Sequence, residues 1–558
     1  MVAHYLDAVS PARPLKEGEI LTHEGGIAHE VDIWKRLRRF LILGTEGWNF
    51  YTPQSELTIE NVGVVRACAT EDAARTIGEI VTISESGRAP KNEPAILALA
   101  MLTLDERDLA RRLAFGNLSR VCRTGTHILH FAAYREALGG GWGRGMRTAV
   151  GKWFAEKSPK DLAYQAVKYS SRDGWALADL LRLSHPKMDE AHSAIAAYIV
   201  DGKNPYLTKD GSAADFAGEE WVKFIQSVIW LGIHTRTEEA TTEEVARIIR
   251  DQRLPREAIP TEWLNDRNVW DALLWNMPMT AMIRNLGKMT SVGLITDWSN
   301  AEGKVVDALR SQDWLRKARV HPISILNALR VYEQGHGDKG SLTWSPSKRV
   351  LSALDEAFYL AFGNVESTGK RIRLALDVSG SMDGNKVLGM NLTAREASAA
   401  MALVTMAREP DAHIVAYSDE LVGVTIRPSM RLDEVVRVLR AIPMGGTYCS
   451  LPIAQATRSG AKVDLFVSYT DNETWDGSGR GVSAYMSWMG TRGAPSMTAS
   501  EELQQYRMHS GIDAKHAVVA LSVNEFSIAD PRDPGQLDLA GLDSATPQIL
   551  ADFANGKL

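Results

Sequence analysis

The chain has 558 residues, a mass of 61.4 kDa, a net charge of −6 and a sequence pI near 6.2. That length implies two or three domains, and the acidic balance excludes a protein that coats nucleic acid over its whole surface. No apolar run reaches the roughly 18 residues of a membrane span, the opening Met1-Val2-Ala3-His4-Tyr5-Leu6-Asp7 lacks the pattern of a secretory signal, and Cys68, Cys122 and Cys449 lack metal-ligand spacing, so buried free thiols and a cytoplasmic home are expected.

Residues 1–54, with Pro11-Ala12-Arg13-Pro14 and the aromatics Trp34, Trp48, Phe50 and Tyr51, form an N-terminal extension to which no structure is assigned. From about residue 30 to 362 the periodicity is otherwise helical. Start signals recur with proline at or near the first turn: Asn92-Glu93-Pro94 opens Ala95 to Met101, Ser158-Pro159-Lys160-Asp161 opens a helix through Tyr169, and His321-Pro322 opens Ile323 to Tyr332 before Gly335 stops it. Asn268–Met277 and Pro278–Met289 read as short consecutive helices joined by tight turns, as in an α-solenoid of paired helices without a fixed sequence period. Between Arg107 and Lys187 stand 15 Lys and Arg against 6 Asp and Glu. Solvated helix faces and a phosphate-binding surface both account for this excess.

After Ser367-Thr368-Gly369 the pattern changes to alternating strands and helices. Arg371–Val378, His413–Ser418, Val422–Ile426, Val463–Thr470 and Lys515–Ser522 read as strands. Thr393–Arg408, Leu432–Ile442, Glu501–His509 and Pro547–Asn555 read as helices. The alternation means a doubly wound α/β domain, a mostly parallel sheet covered on both faces. The glycine-rich stretch from Trp475 to Ser500, with Met486, Trp488 and Met489, reads as an irregular loop whose apolar residues pack down or meet a partner.

The first of these strands runs into Asp377, Ser379 and Ser381 at every second position of a glycine-containing turn. A carboxylate and two hydroxyls on one loop are half a site for a hard divalent cation such as Mg²⁺ or Mn²⁺. Downstream, Gly445-Gly446-Thr447 supplies another hydroxyl and the strand Val463–Thr470 ends on Asp471. Asp-x-Ser-x-Ser alone is equally a plain turn, but two strand ends and a glycine-rich loop converge where such sheets bind ligands. The five positions resemble the metal-ion-dependent adhesion site of von Willebrand factor A domains over residues 369–558. In that family the hydroxyls bind the ion, the carboxylates act mainly through water, and a partner's carboxylate can complete the shell.

The helical part carries Val121-Cys122-Arg123-Thr124-Gly125-Thr126-His127, Val167-Lys168-Tyr169 through Leu183-Ser184-His185-Pro186, Arg284-Asn285-Leu286-Gly287-Lys288-Met289, and Lys317-Ala318-Arg319-Val320-His321-Pro322. These resemble the TROVE module of Ro 60 kDa proteins. In the A-domain part, Gly446-Thr447-Tyr448-Cys449-Ser450-Leu451-Pro452, Thr470-Asp471-Asn472-Glu473-Thr474 and Phe526-Ser527-Ile528-Ala529-Asp530-Pro531 resemble the same Ro 60 kDa family. The resemblance implies a ring of HEAT-like helical repeats over residues 55–368, monomeric and joined to the A domain. It implies small noncoding Y RNA on the outer face, single-stranded 3′ ends of misfolded or structured RNA in the central hole, a role in RNA quality control or decay, and a 3′-to-5′ exoribonuclease as a partner.

Carried over by position, it assigns RNA contacts to Arg123, Thr126, His127, Lys168, Arg172 and His185, and with them Arg284, Lys288, Arg319 and His321. His185 is also readable as a histidine satisfied at a helix end, and Lys288 as a cation neutralising a helix C-terminus. Arg319 and His321 precede a helix, where a cation gains nothing from the dipole, which favours an external anion. No membrane partner and no catalytic residues are expected. The competing reading is a cation-dependent protein-binding adaptor with RNA incidental. A metal-dependent hydrolase would have Glu473 as its sole spare carboxylate.

Overall fold

A computed structural model describes residues 19–21 and 27–29 by their backbone, and residues 33–44, 63–87, 89, 91–208, 211–234, 240–337, 340–387, 389–443, 447–471, 497–522, 528–529, 533–542 and 545–558. Gly445, Gly446, Glu473 and most of the loop 475–500 lie outside the described residues, as do Trp48, Phe50 and Tyr51. The described chain divides into two compact units, one of Val62–Trp314 and Tyr332–Ala353, the other of Met1–Asn61, Leu315–Val331 and Leu354–Leu558.

The first unit is built from short helices packed on their sequence neighbours. Helix Glu93–Leu102 sits at its centre and is buried at every position from Pro94 to Leu102, as a helix apolar on all sides must be. It packs on helices Gly125–Ala137 and Ala73–Ser86. Asn92, read as a start signal, does not cap this helix. Its side chain accepts from Ser84 Oγ and donates to the Val121 carbonyl, tying three segments together. Pro278–Met289 is not one helix but two, Met279–Arg284 and Leu286–Ser291. The break falls at Asn285, whose side-chain amide donates to the Ala281 carbonyl at 2.8 Å and so competes for the helical acceptor. Strands are rare here, limited among the described residues to the two-residue hairpin β3 (Ser171–Arg172) and β4 (Trp175–Ala176); β1 (Glu19–Leu21) and β2 (Ile27–His29) precede them in the other unit.

The second unit holds a six-stranded sheet: β5 (Ile372–Asp377), β6 (Ala412–Tyr417), β7 (Leu421–Gly423), β8 (Leu465–Thr470), β9 (Lys515–Ala520) and β10 (Gln536–Ala540), in the order β10-β9-β8-β5-β6-β7. All pairs are parallel except β6 with β7. β5 and β8 are buried throughout. Ala375 and Phe466 face Ile453, Leu503 and Tyr506 on one side of the sheet, and Leu374 and Val467 face Met401, Val404 and Leu550 on the other. That two-sided cover matches the mostly apolar runs read as strands, within which Arg373 and Ser468 are the buried polar exceptions before the strand ends. A strand of the sheet and a helix beside it are among the elements that escape the sequence reading. β10 places the polar Gln536 and Asp538 inside, and Gln536 Oε1 accepts from Ser500 Oγ at 2.7 Å. Helix Leu451–Ser459 has no apolar periodicity strong enough to announce it.

The unit also reaches back before residue 369. Tyr359 OH accepts from the Leu432 amide at 2.9 Å, Asp355 pairs with Arg431, and Asn327 Oδ1 accepts from the Asn391 amide at 2.8 Å. Helix Ile33–Leu43, inside the stretch left unassigned, belongs here too: Leu37, Phe40 and Leu41 are buried, and Arg39 donates to the Pro534 carbonyl at 2.8 Å.

Candidate cation site and nucleic-acid interface

β5 and β8 are adjacent, and the chain leaves them in opposite directions across the sheet, β5 towards β6 and β8 towards β9. Their carboxyl ends therefore make the switch point at which doubly wound sheets bind ligands. Asp377 closes β5 and Asp471 follows β8 directly, both buried with Ser379 and Thr447. The Asp377 carboxylate accepts from the Ser379 amide at 2.8 Å through Oδ1 and from Thr470 Oγ1 at 2.7 Å through Oδ2. Ser379 Oγ and Ser381 Oγ lie 3.1 Å apart, and Asn385 Nδ2 donates to Asp471 Oδ2 at 3.1 Å. The Thr447 loop is held beside β6, where the Tyr448 amide donates to the Ser418 carbonyl at 3.0 Å.

Burial pushes the Asp377 carboxyl up to about 6 against the pull of the Ser379 and Thr470 hydrogen bonds, and the Asp471 charge adds to the rise. Two buried carboxylates and a hydroxyl pair in one pocket form the all-oxygen donor set that a hard divalent cation takes, so the residues fit such an ion. Beside the loop the wholly buried Arg395 donates to the Ser379 carbonyl at 2.9 Å and lies 2.9 Å from Asp383, which Arg440 meets at 3.0 Å from outside. Thr470, Asn385 and Arg395 were not anticipated from sequence. A hydroxyl next to the terminal carboxylate was the only signal available for the first, and none existed for the others.

In the helical unit the basic excess is largely consumed internally. Arg107 pairs with Asp105, Arg111 and Arg112 with Asp108, Arg120 with Glu85, Lys152 with Glu156 and Lys160 with Glu220. Arg123 donates twice to Ser84 at 2.9 Å and to the Arg120 carbonyl at 3.0 Å, which ties its guanidinium to the protein while the residue stays exposed. His127 is half-buried, its Nδ1 3.4 Å from the Asn92 amide nitrogen, and burial with the neighbouring charges of Arg123, His130 and Lys157 lowers it to about 4. Any contact it makes with RNA is therefore that of a neutral ring. Thr126 sits in the first turn of the helix that Thr124 caps.

Lys168, Arg172 and His185 are arranged differently. Lys168 ends helix Pro159–Lys168 and lies 5.3 Å and 5.4 Å over the rings of Tyr164 and Tyr169. Burial works to lower its ammonium, but the hydrogen bond with the Tyr164 hydroxyl holds it above the ordinary range, so it stays charged. Arg172 projects exposed from β3, 3.9 Å from Asp173. His185 is exposed at the left-handed cap of helix Leu177–Ser184, whose eight residues span about 12 Å. The hairpin β3–β4 leads straight into that helix and links the three residues.

Arg284 is exposed at a helix end, Lys288 donates to Asn265 Oδ1 at 2.9 Å, and Arg319 is exposed with a φ of 50°. His321 is a correction: only 8% exposed, it is a cap and not an anion contact. Its Nδ1 accepts from the Ile323 amide at 3.1 Å at the start of helix Pro322–Glu333, and burial lowers it to about 4. A neutral imidazole acceptor satisfies the helix start that a cation would oppose.

Comparison with known proteins adds to this geometry. Residues 21–214 and 247–331 match the TROVE domain family, and residues 371–554 match the Ro60 vWA domain family. The chain is 37% identical to the RNA-binding protein RO60 of Deinococcus radiodurans over 99% of each sequence. It is 33% identical to the RNA-binding protein RO60 of Caenorhabditis elegans over 98% of this chain and 91% of that one. The crystal structure of the Deinococcus radiodurans RO (RSR) protein superposes with a TM-score of 0.83 at 36% identity, covering 94% of this chain and all of that one.

Proposed function

The chain belongs to the Ro60 family, a TROVE helical region followed by a von Willebrand factor A domain, and from that premise we propose that it is an RNA-binding scaffold and not an enzyme. The observation that carries the reading is the Lys168, Arg172 and His185 group, in which Lys168 keeps its charge and Arg172 and His185 stand exposed, Arg172 with a loose contact to Asp173, around one hairpin and the helix that follows it. Small noncoding Y RNA is the proposed ligand of this face, with phosphate contacts that position RNA without reading its sequence. Misfolded or structured RNAs with single-stranded 3′ ends, and an exoribonuclease recruited through the bound RNA, complete the proposed role in RNA quality control in the cytoplasm. Among the described residues no helix is long and apolar enough to cross a membrane.

Ser379, Ser381 and Thr447 would hold a Mg²⁺ or Mn²⁺ ion directly, with Asp377 and Asp471 behind bridging water, because both Asp377 oxygens already accept protein hydrogen bonds. The ion would supply a point of attachment for an acidic group and would offset the like charges of Asp377 and Asp471, while the protein residues orient it.

The test is filter binding of a structured RNA with a single-stranded 3′ end across a salt series. Affinity should fall linearly with salt on logarithmic axes as counterions are released. No binding at moderate salt, together with Mg²⁺-dependent capture of an acidic protein ligand, would replace the scaffold reading with the adaptor reading.

A further inference from the structure

Three tryptophans of the helical unit stand in the open: Trp298 is 81% exposed, Trp275 68% and Trp314 54%. Trp298 and Trp314 line one groove of about 710 Å³ together with Lys304, Asp307 and Arg349. Indoles contribute so much apolar area that two of them facing one groove call for an explanation. Trp298 carries a second oddity, a φ of 65°, in the left-handed region that a bulky residue enters at a cost.

The surroundings hold that conformation in place. The Trp298 amide donates to Glu302 Oε2 at 2.8 Å, and the Glu302 side chain is wholly shielded, accepting also from Ser347 Oγ and, at 2.6 Å, from Arg349. Burial works against the Glu302 carboxylate, but these bonds outweigh it and hold it below the ordinary range. Arg349, fixed by the same carboxylate, then lies 4.6 Å from the centre of the Trp298 ring. A second pairing stands alongside, Lys304 at 4.7 Å over Trp275, from helix Asn300–Arg310 that floors the groove. The result is a rigid indole platform, backed by a cation and open on its outer side.

We propose that this groove is a stacking subsite for single-stranded RNA, with bases on Trp298 and Trp314 and phosphates towards Lys304 and Arg349. The proposal rests on the RNA-binding reading above. Every base has a π face, so stacking on indoles is sequence-tolerant, and flanking cations answer the backbone charge. Asp307, in the same lining, would accept from an exocyclic amino group and would repel a phosphate. The polar and charged rim argues against an apolar peptide as occupant.

Fluorescence anisotropy of a short fluorescein-labelled oligoadenylate on the full-length protein tests this. Trp298→Ala and Trp314→Ala should each weaken binding about tenfold with the salt slope unchanged, and Lys304→Ala should reduce that slope by about one. Trp298→Phe should restore most of the affinity. A 2-aminopurine in the oligonucleotide should be quenched by the wild type and far less by the double tryptophan variant, at an unchanged melting temperature. If the wild type binds the oligonucleotide and the double variant matches it in affinity and quenching, the groove is not a stacking site and the RNA reading stands. If the wild type binds neither this probe nor structured RNA, the RNA reading itself fails.

Discussion

His321→Asn separates a helix cap from an RNA contact. Because Nδ1 of His321 accepts from the Ile323 amide, the neutral ring carries its proton on Nε2, which meets no partner among the described residues. Protonating Nδ1 would break the cap and place a charge in the interior. The group titrates near 6.5 when unfolded and near 4 when folded. Between those values the unfolded chain binds more protons, so stability is intact above about pH 6.5 and falls as the pH drops towards 4. The penalty is about 2 kcal/mol at pH 5 and about 3 kcal/mol once fully developed. Asn keeps a side-chain acceptor at the cap but does not titrate. Thermal unfolding at pH 7 and pH 5 should show a loss on acidification about 2 kcal/mol smaller in the variant, or roughly 4–8 °C for a unit of this size, with RNA affinity at pH 7 unchanged. Equal acid sensitivity in the two proteins, or a tenfold fall in RNA affinity without a stability change, would refute the reasoning.

Lys168→Ala with Arg172→Ala should weaken binding of structured RNA at least about tenfold and lower its salt slope by roughly 1.5–2, with unfolding unaffected; an unchanged slope would place the phosphates elsewhere. Arg123→Ala removes three hydrogen bonds to Ser84 and Arg120, so it should destabilise the helical unit by roughly 1–3 kcal/mol in denaturant melts while leaving RNA affinity intact. The opposite outcome would return Arg123 to the interface. Magnesium should raise the melting temperature of the wild type but not of Ser379→Ala with Ser381→Ala; an equal rise in both would remove these hydroxyls from the cation site.

The A domain was legible because its signals are local. β5 and β8 are mostly apolar, fully buried runs, one closing on Asp377 and the other followed at once by Asp471, so chain order and sheet topology together bring the two carboxylates to the same end of the sheet. Elements whose polar residues are satisfied from far away were not legible: β10, whose Gln536 meets Ser500, and helix Ile33–Leu43, whose Arg39 meets Pro534. Pro278–Met289 failed for a different reason, since nothing in its periodicity marks the side chain of Asn285 as the competitor that splits it.

The nucleic-acid face divides along the same line. Sequence alone determined that a basic segment exists and where its cations stand in the chain, because charge is a property of each residue. Which of those cations remain available is a property of their neighbours. Arg123 is tied down at the surface because Ser84 and the Arg120 carbonyl accept from it, His321 loses its charge because burial makes protonation costly, and Lys168 keeps its charge because it hydrogen-bonds the Tyr164 hydroxyl. Only the tertiary structure could decide among them, since desolvation and hydrogen bonding act through residues distant in sequence and adjacent in space.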